Sequence, residues 1–190
     1  MDTSVNGDDD VKNIMKLLAI LFTAGFIIIS VTYRVAELVI LLPVAITLGT
    51  FSYHFLMRLI VGYGIDAVYH NRMNYHGKWF QPRKWENKLY KKLKVKSWKD
   101  KMPTYDTDIS SFELHSMEEI VMAMCQSEIV HEIIVAFSFV PVLAIPWLGE
   151  PVVFIITSFL AACFDMIFVI MQRYNRPRII KLIEKRRSRK

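Results

Sequence analysis

Four long apolar runs decide what this chain can become. Residues 14–31, 38–60, 129–148 and 152–171 are dominated by Ile, Leu, Val, Phe, Met and Ala, and about 20 such residues in a helix cross the hydrocarbon core of a bilayer. Inside that core every backbone N–H and C=O must be paired within the structure, and for runs of this kind helices achieve it. In a chain of 190 residues with 53% hydrophobic content, the runs predict one all-α, polytopic membrane domain over 1–190 with four transmembrane helices. The first run follows Lys12 and Lys16 and has the outline of a secretion signal. It is longer than a signal core, lacks a small-x-small cleavage site and is closely followed by the next run, so it is read as a retained helix. Residues 1–11 are polar and acidic and are read as a disordered tail.

The placement of charge sets an expected orientation. Of the 24 Lys and Arg, only Arg34 falls between the first two runs, and the Gly149-Glu150-Pro151 turn has none. The others lie on one side, which the positive-inside rule assigns to the cytoplasm. Both termini and residues 61–127 are therefore expected on the cytoplasmic face of a cell membrane. In that central region Trp79, Phe80, Trp85, Tyr90, Leu93 and Trp98 alternate with lysines, the composition of helices lying at the headgroup level. Gly77, Pro82 and Pro103 divide it into two or three cytoplasmic interfacial helices between the second and third spans. Interleaved basic and aromatic residues also suit single-stranded nucleic acid, but enclosure between two spans favours membrane lipids as the partner and no nucleic acid. The tail 173–190 carries an Ile179-Ile180-Leu182-Ile183 stripe among basic residues and is expected to form a separate surface helix.

Chemistry-bearing residues cluster where the third run begins. Glu128, His131 and Glu132 share one helical face, and ionisable groups at a membrane span are costly enough to be read as functional by default. A histidine beside a carboxylate can act as a general base, the carboxylate fixing its tautomer. The plainer alternative is a satisfied polar pair at the start of a helix. Asp165 lies inside the fourth run, on about the same face as Gln172 and Arg173. It calls for a partner, either in a polar pocket or as a helix–helix hydrogen bond. His54 is read as a bundle-facing hydrogen bonder, with no second histidine at helical spacing. Arginines at the end of the fourth run suit phosphate through paired donors.

Other chemistries fit less well. Cys125 and Cys163 form no CxxC pair, which leaves no zinc ribbon or disulfide framework, and Cys125 reads as a small packing residue. A di-iron carboxylate site needs two Glu-x-x-His motifs and two further glutamates, whereas Glu128-x-x-His131 stands alone. HExxH, Walker and GxSxG motifs are absent, as is a His-x4-Asp pair after any histidine.

Three blocks resemble the glycosyl-4,4'-diaponeurosporenoate acyltransferases of staphyloxanthin-type carotenoid synthesis and their bacterial relatives. The first runs from Trp85-Glu86 and Tyr90 through Lys96-Ser97-Trp98-Lys99-Asp100 to Pro103. In the second, Cys125 to His131, the match is at Glu128 and His131. The third and most specific is Gln172-Arg173-Tyr174-Asn175-Arg176-Pro177-Arg178. Gln126, Glu132 and Asp165 stand where that pattern has arginine, tryptophan and asparagine.

The resemblance covers about residues 75–185 and implies membrane acyl transfer from a thioester or lipid donor to a hydroxyl of a glycolipid-like or isoprenoid-derived acceptor. His131 is then the expected base, oriented by Glu128. Lys99, Arg173, Arg176 and Arg178 are expected to hold donor phosphates or offset developing charge. Glu86, Tyr90, Trp98, Asn175 and Asp165 would position substrate or brace the site. No metal or bound cofactor is required, with acyl-CoA or an acyl lipid as co-substrate. The rival readings are a non-enzymatic scaffold or lipid-binding subunit, and a metal-dependent lipid hydrolase using Glu128, His131 and Glu132.

Overall fold

The computed structural model describes residues 5–99 and 115–189; residues 1–4 of the tail, 100–103 of the first resemblance block and 190 lie outside them. Among the described residues the chain is all-helical, with four helices long and apolar enough to cross a membrane. The first, α1 (Val5–Ala36), begins before the apolar run, so residues 5–11, expected in a tail, belong to the helix. A 3-10 turn at Val39–Leu41 leads to α2 (Leu42–Tyr69), with Pro43 in its first turn, where the missing N–H is not needed.

The interfacial region is shorter than expected, because the helices on both sides reach into it. α2 continues past residue 60, since its next proline is Pro82, and ends where His70 and Asn71 turn left-handed. α5 (Met117–Phe137) starts well before residue 129, with Ser116 and Glu119 forming a reciprocal capping box that satisfies two orphan donors. Between them lie a 3-10 turn at Lys78–Phe80 and two short helices, α3 (Glu86–Lys92) and α4 (Val95–Trp98).

The third span is not one continuous helix. Pro141 and Pro146 cannot donate backbone hydrogen bonds, and the chain passes through a 3-10 turn at Val140–Ala144 into the single-turn α6 (Ile145–Leu148). The tail, expected as a separate surface helix, is instead the end of α7 (Pro151–Arg187), which runs unbroken through Pro177. Burial of Arg176 and Ile183 on either side of that proline holds the axis where the backbone loses a bond.

Two antiparallel helix pairs make the bundle. In the first, Phe22 of α1 stacks on Phe51 and Phe55 of α2 at 5.1 and 5.5 Å between centroids, and the Thr23 and Ser52 hydroxyls meet at 2.6 Å. Gly49 lets these backbones approach, since a Cβ there would stand 3.0 Å from the Phe26 ring. The second pair is α5 with α7. The pairs join where Met57 and Val61 of α2 pack on Ile134 of α5. Ile20, Ile28, Ile155 and Phe159 face outward, as suits a lipid-facing surface.

Candidate functional site

A cavity of about 820 Å³ opens between the two helix pairs, lined by α1, α2, α5 and α7, within the size range of lipid- and drug-sized ligand sites. Its walls change along their length. Near the basic end stand Lys12, Asp66, Asn71, Gln126, Ser127 and Gln172; at the other end stand Phe51, Phe55, Ile134, Thr157 and Leu160. His131, Asp165 and Arg58 lie between. Asp165 is seven residues before Gln172 on α7, about 10 Å deeper at 1.5 Å per residue.

The central cluster is a chain of three charged or chargeable groups from three helices. His131 Nδ1 of α5 pairs with Asp165 Oδ1 of α7 at 2.9 Å, and the other oxygen of Asp165 accepts from Arg58 Nη2 of α2. Asp165 is 1% exposed, while the His131 side chain is 20% exposed, so the imidazole alone of this pair presents substantial surface to the cavity. The imidazole stacks on Phe168 at 4.7 Å and 11°, which fixes its plane. A carboxylate on Nδ1 holds the ring in one orientation and leaves Nε2 for chemistry. Nε2 has no hydrogen-bond partner among the described residues. Arg58 also donates from Nη1 to the His54 carbonyl at 3.0 Å and lies 6.0 Å from the Phe164 ring centre.

Glu128 does not orient His131, and that expectation is corrected. It is fully buried, and its carboxylate receives Arg173 Nη1 at 2.5 Å and Arg176 Nη1. Glu128 and His131 share a helical side, but the carboxylate is turned toward the end of α7 by two guanidinium groups, and Asp165 takes its place at the histidine.

Arg173 and Arg176, expected to hold phosphate, are engaged within the protein. Arg173 contacts Glu86 Oε1 through Nε at 2.9 Å and Nη2 at 2.6 Å, and donates to the Trp79 and Gln81 carbonyls. Arg176 donates to the Phe80 carbonyl at 2.7 Å and lies 5.0 Å from that ring's centre. Together they clamp the 79–86 segment onto α5 and α7. Buried guanidinium forks need this many acceptors to offset their desolvation.

The other expected site residues stand around this clamp rather than at the cavity. Tyr90 donates to Glu86 Oε2 at 3.0 Å and packs edge-on against Tyr174 at 5.4 Å. Burial, and then the Glu86 charge, push its phenol above the ordinary tyrosine range. Trp98 donates from its indole to the Leu93 carbonyl at 2.9 Å, and Lys99 follows it, half-buried. Asn175 is half-buried, while Arg178 is exposed, bonded to the Tyr174 carbonyl and stacked on that ring at 3.4 Å. Glu132 accepts from the Trp79 indole at 2.8 Å, so it too serves the clamp. Of the expected site residues, His131 and Asp165 line the cavity.

Two cavity residues were misjudged from sequence. Arg58 entered only as one charge among the basic residues, yet it is the second partner of Asp165. His54, expected to hydrogen-bond within the bundle, is 3% exposed and has no partner at either ring nitrogen. Chain geometry carried a signal for Arg58: it lies sixteen residues into α2 from Leu42 and Asp165 fourteen into α7 from Pro151, helices that start at the same end of the bundle.

Compared with known proteins, residues 76–185 match the model of a family described as glycosyl-4,4'-diaponeurosporenoate acyltransferase. No curated protein and no solved structure matches the chain. The matched region holds Glu86, Glu128, His131, Asp165 and the arginines of the clamp, and leaves α1 and α2 outside. Since it spans more than half of the 190 residues, the chain belongs to the glycosyl-4,4'-diaponeurosporenoate acyltransferase family and is an acyltransferase.

Proposed function

We propose that this protein transfers a fatty acyl group directly to a hydroxyl inside the bilayer, with His131 as general base and Asp165 as the group that orients it. The observation that carries this reading is the 2.9 Å contact of His131 with buried Asp165 in the wall of a lipid-sized cavity. In the reaction, Nε2 takes the proton of the acceptor hydroxyl as its oxygen bonds to the acyl carbonyl carbon. The tetrahedral intermediate then collapses, the bond to the donor's sulfur or oxygen breaks, and the departing group takes the proton back from Nε2. Arg58 holds the other oxygen of Asp165, so that the imidazolium formed midway lies beside a carboxylate fixed in place.

No covalent acyl-enzyme is invoked. Thr157 and Ser127, the aliphatic hydroxyls of the cavity, donate to the Val153 carbonyl and accept from Gln172 respectively, and Cys125 is fully buried outside the lining. The apolar end of the cavity suits an acyl or isoprenoid chain, and the polar end suits a sugar or headgroup. Acyl-CoA or an acyl lipid would enter from the basic end, which the positive-inside rule places in the cytoplasm together with both termini. A scaffold would gain nothing from a desolvated His–Asp–Arg chain in a cavity wall.

The test is mass spectrometry of lipids from cells expressing wild-type protein or His131→Gln at matched levels, with extract from the native source added. An acylated species made only by wild type supports the proposal and identifies the acceptor. Equal amounts of that species from both would end it.

A further inference from the structure

Acyl transfer by His131 leaves one charge without a protein partner. As the hydroxyl oxygen adds, the carbonyl π electrons move to oxygen, and that developing oxyanion needs a hydrogen-bond donor already in place. Tyr63 is an exposed donor at the cavity's edge, 52% exposed, and most of the donors set deeper are occupied. Both terminal nitrogens of Arg58 are engaged, with Asp165 and with the His54 carbonyl. Gln126 donates to Asp66 at 3.0 Å and accepts from the Asn71 backbone at 2.7 Å. Gln172 donates to Ser127 at 3.2 Å. His54 differs: it lines the cavity, is 3% exposed, and neither ring nitrogen has a partner.

An imidazole carries one donor and one acceptor when neutral, and leaving both unmade in the interior costs free energy that the fold does not recover. His54 is one helical turn from Arg58 on α2, hence beside the group that ties Asp165 to this wall.

Resting on the acyl-transfer reading above, we infer that His54 is a second catalytic residue: its ring N–H donates to the acyl carbonyl oxygen of the donor, opposite the hydroxyl held by His131 Nε2. The ligand class is a fatty acyl thioester or ester, bound with its carbonyl at the level of Arg58 and its chain toward Phe51, Phe55 and Leu160. His54 bears the incoming negative charge as a hydrogen bond and exchanges no proton, so the balance of the transfer is unchanged. The catalytic wall is then completed by α2, outside the region that matches the family.

The experiment uses the full chain in lipid nanodiscs with a non-reacting probe, a long-chain methyl ketone (heptadecan-2-one) labelled with carbon-13 at the carbonyl. Its C=O stretch should move to lower frequency in wild type relative to protein-free nanodiscs, and should stay there in His131→Gln. In His54→Phe the shift should vanish, and in His54→Gln, whose amide keeps a donor, part of it should return. In the lipid assay His54→Phe should lower product formation by about 10²–10³-fold, the usual effect of removing one oxyanion donor. Its thermal midpoint should equal or exceed that of wild type, because an unpaired buried polar group has been removed. Wild-type product levels from His54→Phe, or a ketone band that is unshifted in wild type or shared by wild type and His54→Phe, would overturn the inference. A fully active His131→Gln would instead defeat the base assignment, leaving the ketone result for His54 to stand or fall separately.

Discussion

Replacing Glu128 by glutamine separates a structural clamp from a catalytic carboxylate. Glu128 is 0% exposed and faces two guanidinium groups, with Arg173 at 2.5 Å and Arg176 on its other oxygen. A glutamine keeps an acceptor for one arginine and turns an NH₂ donor against the other. Arg173 retains Glu86, at 2.6 Å, so the uncompensated charge falls on Arg176, which is left with the Phe80 carbonyl at 2.7 Å and the Phe80 ring. Hydrogen bonds to charged groups contribute about 1.5–3 kcal/mol each, and removing one partner of a buried pair costs about 3–5 kcal/mol. Glu128→Gln should therefore lose about 3–5 kcal/mol, read from reversible unfolding in mixed dodecylmaltoside–SDS micelles by tryptophan fluorescence. Glu86→Gln should lose less, because Arg173 keeps Glu128. The double replacement Glu128→Leu with Arg176→Met should lose less than Glu128→Gln alone, since exchanging a whole buried pair for apolar groups is often near neutral. A loss below about 1 kcal/mol together with abolished product formation would refute this reasoning and return Glu128 to the substrate.

Asp165→Asn should slow product formation by about 10²–10⁴-fold, the range for a positioned general base, and combining it with His131→Gln should add little; full additivity in the lipid assay would mean that the two act apart. Trp79→Phe removes the indole bond to Glu132 at 2.8 Å and should cost about 1 kcal/mol, with faster proteolysis between α2 and α3 as the readout. Tyr90 has a phenol pKa raised by burial and Glu86. The unfolded chain therefore releases this proton first, near pH ~10, and the stabilisation present below that pH is lost as pH rises through it. Unfolding midpoints measured from neutral pH upward should fall in wild type and flatten in Tyr90→Phe.

The four spans were legible because hydrocarbon leaves a chain few options and hydropathy reports that constraint directly. Their ends were not, because helix continuation past a span depends on caps and packing. Ser116 and Glu119 start α5 far outside its apolar run, and Pro177 fails to end α7 because Arg176 before it and Ile183 after it are buried. At the candidate site, His131 and Asp165 were visible as residues, and their pairing was not. Spacing along one helix brought Glu128 to His131, whereas the fold pairs residues across helices. That pairing was available to simple counting: His131 lies eighteen residues before Gly149 and Asp165 sixteen after it, equal depths in two antiparallel helices. His54 gave no such signal, because an unpaired buried imidazole is recognised only by what fails to surround it.

Two charged networks on the same pair of helices divide the work by depth. At the end of α7, Arg173 and Arg176 are held by Glu86, Glu128 and three backbone carbonyls, with only Arg176 Nε left unpaired among their buried nitrogens, which fixes the interfacial segment and with it the relative register of α5 and α7. That register sets His131 against Asp165. In the network at the end of α7, both carboxylates are matched by guanidinium groups of the protein itself. The other ends at the cavity wall, in the partly exposed His131 imidazole with His54 beside Arg58 on α2, which is the difference expected between the proposed site and a clamp built of the same residue types. Damage to the clamp should therefore appear first as lost stability and only then as lost turnover, whereas damage at Asp165 should appear as lost turnover in a protein that still folds.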